Sequence, residues 1–499
     1  MFSWSRLPLT VAFVGSGLAF TQCSQVPVRS TPAPGAPVPA PIVTGEGRVV
    51  ILFLSDLHGQ LRPNPSGLGG YARLTTKIRE ERQKADSKTD VLVIMGGDAA
   101  GKSALPCRKT GEKDCMPLLK QMGVDLAVLG NGELKRSAAE LNELIQLSQI
   151  PWVSSNVKTK APLKATWQDE YAFKGLKSGA DWSLVGWSIV PTPGEVNLAR
   201  VGYFANEKPN SVDWSRWTQA ANTRPLLFLT HQLFDRDIAL LDEACQKIPG
   251  KMLAVLKGHD HHVRFEDRSR CVPVFEPGAF GENISRVEFG RNEGGPWTLV
   301  KHDFISIDAN VAEDPAMKAR IEALYAKSAP EADQVMGQVA AQRTQTEAAQ
   351  WMVDTLLKVS HGDMAIVNGG AVKSGLEPGA VTRERLFTVY PYTNELIGVD
   401  VSIAELSASL CKAAQRPKDT FLDDGSELFF AGAQLVGVGT SNCHLEVGHR
   451  SRAKLVMDSY MLNRSARWMG IDLAPRAFNF GMNTEKMLER GLQMGGGKL

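Results

Sequence analysis

The chain has 499 residues, 43% hydrophobic and 22% charged, which suits a globular protein with more than one core and argues against a disordered or fibrous chain. Its 56 basic and 54 acidic residues leave a net charge of +2 without a basic stripe, so nothing supports a nucleic-acid or anionic-membrane surface.

In chain order, the first feature is an apolar run, LPLTVAFVGSGLAF, preceded by Arg6, the one charge in the first twenty residues. It is too short to span comfortably as a mature helix, and residues 1–22 read as an export signal. Cys23 follows where a bacterial lipoprotein would be acylated, although Phe20-Thr21-Gln22 lacks the small residues expected there, so lipidation at Cys23 and ordinary cleavage nearby both stand. Residues 23–46 are a Pro/Ala-rich tether, stiff and extended. No later segment approaches transmembrane length.

The remaining six cysteines lie at separations that suit pairing as Cys107–Cys115, Cys245–Cys271 and Cys411–Cys443, as expected in an oxidising compartment, with other pairings open.

From residue 48 an apolar, β-branched run followed by a polar Gly-containing loop recurs in RVVILFLSDLHG, DVLVIMGGDAAG, DLAVLGNGEL, RPLLFLTHQL and KMLAVLKGHDHH. Amphipathic helical stretches such as GYARLTTKIREERQK lie between them. Buried strands alternating with helices predict a layered α/β domain over residues 47–310. A connecting helix is expected within 311–334, a second α/β domain over 335–485, and a tail at 486–499.

The strand ends carry Asp56 with His58, then Asp98, Asn131, His231, and His259 with His261. Carboxyl ends of strands line the ligand crevice in such folds, so these groups can converge. Two carboxylates, an amide and four imidazoles suit Mn²⁺, Zn²⁺, Fe or Co rather than Ca²⁺ or a thiolate site. Seven side chains exceed the needs of one ion, and two ions sharing Asp98 account for them all.

Gly96 to Ser103, GGDAAGKS, also satisfies the phosphate-loop pattern after a strand. A true phosphate loop opens a helix at its Lys. Here Pro106 and the polar CRKTGEKDC follow, which are not expected to continue one, so the match reads as coincidence.

Taken together, these motifs resemble the calcineurin-like metallophosphoesterases, specifically the bacterial 5′-nucleotidase/UDP-sugar hydrolase branch. The family's D-x-H appears as Asp56-Leu57-His58 and its G-G-D as Gly96-Gly97-Asp98. Its T-H appears as Thr230-His231 and its G-H-x-H as Gly258-His259-Asp260-His261. The segments GGYARL, EPGAFGENISRVEF and VNGGAVKSGLEPGAVTRERLFTVYPYTNEL are similar to further family signatures.

The resemblance implies an N-terminal four-layer αββα domain and a C-terminal domain that presents the substrate. It implies Asp56, His58, Asp98 and His261 around one metal, and Asp98, Asn131, His231 and His259 around the other, with a bridging hydroxide as nucleophile. It further implies action on a nucleotide or other small phosphoester, and with the N-terminal signal and Cys23 the expectation is an exported monomer, periplasmic or lipid-anchored at the outer membrane.

Two departures cluster in the family's G-N-H-E-x-D. Gly132 replaces the His that protonates the leaving oxygen, and Lys135 replaces the Asp that orients it. In the second domain, Asn-Gly-Gly-x-x-Arg reads Asn368-Gly369-Gly370-Ala371-Val372-Lys373, keeping charge at Lys373 but losing the guanidinium fork. Phe429 or Phe430 is the candidate for one half of the family's base sandwich. Hydrolysis, of reduced rate, is therefore the expected activity. The alternative is an impaired member that binds metal or nucleotide at a surface.

Overall fold

An uninterrupted apolar run cannot leave one face in water, so VVILFL and its counterparts must form central strands covered on both sides. The computed structural model describes residues 47–99, 104–188, 203–205, 214–267, 272–415 and 428–494. The expected signal, tether and Cys23 lie outside these, as do Gly101, Lys102 and Ser103 of the phosphate-loop-like segment.

The first sheet contains β1 (Gly47–Leu54), β2 (Thr89–Met95), β3 (Leu126–Val128) and β4 (Trp152–Val153). The second contains β5 (Glu170–Lys174), β6 (Asp181–Ser188), β7 (Leu226–His231), β8 (Met252–Gly258), β9 (Val263–Glu266) and β10 (Val274–Pro277). The chain then returns to the first sheet with β11 (Asn283–Arg291) and β12 (Thr298–Ser306), giving the orders β12-β11-β1-β2-β3-β4 and β9-β10-β8-β7-β6-β5.

Alternation along β1 sends Val49, Ile51 and Phe53 between the two sheets, where they meet Trp182, Leu184, Leu227, Leu229 and Leu256. Val50, Leu52 and Leu54 point the other way, against helices Tyr71–Lys84, Pro117–Met122 and Ala138–Ser148. The second sheet's outer face is covered by Trp214, Trp217, Leu240 and Leu241 from helices Trp214–Thr223 and Phe234–Lys247. The result is helix, sheet, sheet, helix, the four-layer sandwich expected.

Helix Pro315–Ser328 follows, started by the Asp314 side chain, which accepts from Met317 N at 2.9 Å. The second domain is built on β13 (Met364–Asn368), β14 (Glu395–Ser402), β15 (Leu428–Ala431), β16 (Arg452–Asp458) and β17 (Ala477–Asn483), in the order β15-β13-β16-β14-β17. Apolar clusters lie on both of its faces.

Two expectations need correction. Residues 486–494 are not tail: helix Thr484–Met494 buries Met487, Leu488 and Leu492 in the second domain's core. And a short helix, Leu105–Lys109, does form after the phosphate-loop-like stretch, because Pro106 sits in its first turn, where its missing N–H costs nothing.

Disulfides Cys107–Cys115 and Cys411–Cys443 are present. Cys245 is disulfide-bonded, and Cys271, its expected partner, lies outside the described residues. Among the described residues no helix is long and apolar enough to cross a membrane.

Candidate metal centre

β1, β2 and β3 run parallel, as do β7 and β8, so their carboxyl ends open on one side of each sheet. Those ends and the segments that leave them carry Asp56, Asp98, Asn131, His231 and His259. Asp56, His58, Asp98, His259 and His261 all adopt positive φ, between 49° and 93°. Non-glycine residues rarely do so, and such strain concentrates at functional sites.

The loops are tied to one another by backbone bonds: Asp56 N donates to Gly97 O at 3.0 Å and His58 N to Asp98 O at 2.9 Å. Glycine is required where they approach most closely. At Gly97, φ +98°, a Cβ would lie 2.5 Å from His231 Nδ1, and at Gly258 it would collide with Ser55 Oγ.

All seven side chains expected from the sequence meet here. His58 Nε2 and His261 Nε2 stand 3.0 Å apart, and Asp56 Oδ1 lies 3.3 Å from the latter and 3.8 Å from the former. Asn131 Oδ1 is 3.2 Å from His231 Nε2 and 3.2 Å from His259 Nδ1. Asp98 reaches both groups, with Oδ1 3.5 Å from His231 Nε2 and Oδ2 3.9 Å from His58 Nδ1.

Asp56 also faces both, since its Oδ1 is 3.8 Å from His231 Nε2. Expected as a ligand of one group alone, it belongs to both compact clusters, Asp56–His58–His261 and Asp56–Asp98–His231.

The donor set fits divalent ions. Asp56 Oδ1 is buried with no hydrogen-bond partner among the described residues, although three imidazole nitrogens surround it. An orphaned buried carboxylate oxygen is costly unless something else neutralises it. The other oxygen is satisfied by Ser55 Oγ at 2.6 Å and His259 N at 2.9 Å. His231 Nδ1 lies 2.8 Å from Gly96 O, and donation to that carbonyl leaves Nε2 with its lone pair toward the cluster.

Burial opposes the charged imidazole at His231 and His261, but the Asp56 and Asp98 carboxylates raise both, so protons compete for these two donors. Burial pushes the Asp56 carboxyl up, but His231, His261 and His58 outweigh it and hold it well below the usual range. Asp98 is lowered in the same way, burial being overcome by His231 and His58. Burial and the neighbouring His231 push His259 down to about 4, so it stands as a neutral donor at neutral pH.

Two further contributors had no role assigned from the sequence. Glu133 is fully buried, and its Oε2 accepts from Gly130 N at 2.8 Å and Asp98 N at 3.0 Å, clamping two ligand loops together. Burial, then the charge on Asp98, pushes its carboxyl up to about 7. The Phe280 ring lies 5.5 Å from the His58 ring and 5.6 Å from that of His261. Both residues sit inside motifs visible in the sequence, but nothing in residue type alone assigns them.

Gly132 lies in the short helix Asn131–Leu134, and its N–H donates to Asp98 Oδ1 at 2.6 Å. A Cβ there would stand 2.8 Å from the same oxygen. Lys135 is exposed and near enough to Asp98 to help lower its carboxyl.

In the second domain, Asn368 ends β13 and its side chain accepts from Gly370 N at 2.9 Å. Lys373 Nζ donates to Gly370 O at 2.6 Å and lies 6.0 Å from the Tyr392 ring. Phe429 packs against the same cluster as Tyr392, while Phe430 packs against the cluster on the opposite face. Strand alternation thus separates the two phenylalanines, and they cannot share a role.

A two-sheet α/β sandwich whose strand ends gather carboxylate, amide and imidazole donors is the architecture of a dimetal phosphoesterase. Residues 49–263 match the family described as calcineurin-like phosphoesterase, and residues 326–440 match the 5′-nucleotidase C-terminal domain. The chain belongs to the calcineurin-like metallophosphoesterases that carry a 5′-nucleotidase C-terminal domain.

A 5′-nucleotidase of Vibrio parahaemolyticus is 21% identical over 509 residues, with 89% of each chain covered. The structure of a 5′-nucleotidase precursor from Thermus thermophilus superposes with a TM-score of 0.72 at 15% identity, covering 91% of this chain and 97% of that one. The sulfate thiohydrolase SoxB of Thermus thermophilus shares the fold with a TM-score of 0.69 at 16% identity, covering 91% and 95%.

Proposed function

We propose that this chain is an exported phosphoesterase that hydrolyses nucleotides or related phosphoesters and pyrophosphates. Asp56, His58, Asp98 and His261 would hold one divalent ion, and Asp98, Asn131, His231 and His259 the other. The observation that carries this reading is the buried Asp56 Oδ1, which has three imidazole nitrogens within 3.8 Å at the junction of two donor groups. Two bound ions supply Lewis acidity and a water of lowered pKa.

The chain's own residues do the rest. The Gly96 carbonyl fixes the His231 tautomer, and Glu133 holds the Asp98 and Gly130 loops in register. Asn368, Gly370, Lys373 and Phe429 are the proposed substrate contacts in the second domain, where Lys373 offers a point charge instead of a bidentate fork.

No side chain at Gly132 can deliver a proton to the leaving oxygen. General acid catalysis contributes about 10²–10⁴-fold, and the loss falls on leaving groups that need protonation. Nitrophenyl phosphate and phosphoric anhydrides are therefore expected to be turned over at least ~10²-fold faster, relative to nucleoside monophosphates, than in a relative that keeps the His. Parallel kcat/KM measurements on such a panel with Mn²⁺ test the reading. Equal discrimination in both enzymes would count against it.

The double change Gly132→His, Lys135→Asp is expected to raise hydrolysis of nucleoside monophosphates at least ~10-fold, part of the general-acid contribution. A Cβ at position 132 would stand 2.8 Å from Asp98 Oδ1 and 3.1 Å from its Cγ, so the Asp98 side chain has to shift to admit it. A second reading, metal or nucleotide binding without turnover, draws on the bond from Gly132 N to Asp98 Oδ1. It wins if protein loaded with two ions hydrolyses nothing on the panel and the double variant gains nothing.

A further inference from the structure

The loop closed by Cys107–Cys115 reads CRKTGEKDC, a composition made for solvent, yet Glu112 at its tip is 2% exposed. A buried carboxylate demands a cationic partner. That partner is Arg136, whose Nη2 pairs with Glu112 Oε2 while its Nη1 donates to Gly132 O at 2.7 Å. Gly132 in turn donates its N–H to Asp98 Oδ1 at 2.6 Å.

We infer that Glu112 and Arg136 are positioning residues, which hold the Asn131–Gly132 turn against Asp98, and that the Cys107–Cys115 disulfide staples Glu112 in place. The inference rests on the reading of Asp98 and Asn131 as metal ligands.

Three observations support the staple. Glu112 has φ +71°, a conformation that glutamate rarely adopts unaided. Its N–H donates to Cys107 O at 2.6 Å and its carbonyl accepts from Cys115 N at 3.0 Å, so the backbone between the two half-cystines sets its position. The loop's outer face is braced as well: the Arg108 guanidinium stacks 4.6 Å from the Phe387 ring, Lys109 pairs with Glu331, and Asp114 Oδ2 is 2.9 Å from Lys327 Nζ.

A position with a side chain can be held by that side chain. Gly132 has only its peptide groups, and the N–H and the carbonyl are both taken, by Asp98 and by Arg136.

The test compares the full mature chain with Arg136→Met, Arg136→Lys, Glu112→Gln and Cys107→Ser/Cys115→Ser, each checked for a cooperative thermal transition. In metal-free protein, amide hydrogen exchange across residues 130–136 is expected to quicken ~10-fold or more in Arg136→Met and in the cysteine variant, and less in Arg136→Lys. Mn²⁺ affinity by calorimetric titration is expected to fall ~10–100-fold in Arg136→Met and Glu112→Gln, the range for residues that orient ligands, and to recover in part in Arg136→Lys.

Folded variants with unchanged exchange overturn the inference. Wild-type protein that takes up no Mn²⁺, Zn²⁺ or Co²⁺ overturns the metal reading instead, and the exchange data still judge the loop.

Discussion

Asp98→Ala is expected to abolish measurable phosphate release, a loss of at least about 10³-fold or on the order of 4 kcal/mol in barrier. The reason is geometric. Asp98 lies 3.5 Å from His231 Nε2 on one side and 3.9 Å from His58 Nδ1 on the other, so neither donor group is complete without it. Its backbone bonds to His58 N and to Glu133 Oε2 do not involve the carboxylate and survive the change.

Among the described residues the one side-chain acceptor lost is Oδ1, which takes the Gly132 N–H at 2.6 Å, so activity should fall by much more than stability does. Asp98→Asn is the sharper companion, because asparagine tolerates the residue's φ of 50° better than alanine does while still removing the charge. Phosphate release with Mn²⁺, metal content and thermal unfolding together decide the matter. Turnover at the wild-type rate in either variant would remove Asp98 from the chemistry.

Lys257→Met is expected to destabilise the first domain by about 3–5 kcal/mol, the usual result of removing one partner from a buried ion pair. Lys257 is fully buried at the end of β8. Its Nζ donates to Asp260 Oδ2 at 2.7 Å and stands 3.7 Å from Glu276 and 3.8 Å from Asp237. Burial already pushes the Asp237 carboxyl up to about 7 and raises Glu276, with the Lys257 charge opposing it in both.

Without the ammonium, those carboxyls are left to neutralise by binding protons. The folded variant then holds protons that its unfolded chain releases above about pH 4, so its deficit grows as pH rises. Urea unfolding at pH 5.5 and pH 8 measures this, and a deficit that does not grow with pH would refute the account. The cluster also bears on the metal centre: Asp260 lies between His259 and His261, and it accepts from Phe234 N at 3.0 Å, just past His231. One lysine thus joins the two histidine-bearing strand ends.

The seven donors were legible because two simple signals coincide in them. A short β-branched run such as VLVIM or LLFLT, closed by a Gly-containing polar loop, reads as a buried strand, and ligand-type residues immediately beyond such runs fall at the carboxyl edge of the sheet. What escaped is what residue type argues against. Lysine and glutamate are seldom fully buried, so residue type alone gives no reason to place Lys257, Glu133 and Glu112 in the interior. Only the fold supplies the carboxylates and guanidinium that make their burial tolerable.

The shared position of Asp56 was likewise hidden, since it depends on which way each carboxylate turns. The separation of Phe429 from Phe430 was in principle visible, because neighbours in a strand must face apart. Helix Thr484–Met494 carries its apolar residues at 487, 488 and 492, a pattern obscured by Gly491 and the glycines that follow.

The five left-handed donor residues have a consequence for how the centre could be lost. Each holds a conformation that glycine adopts freely and that costs other residues roughly 1 kcal/mol or more. Together that is on the order of 5 kcal/mol, comparable with the net stability of a whole domain. A lineage that had no further use for metal would gain stability by letting these positions drift toward glycine. In this chain all five strained positions still carry an aspartate or a histidine, and Gly132 is not one of them.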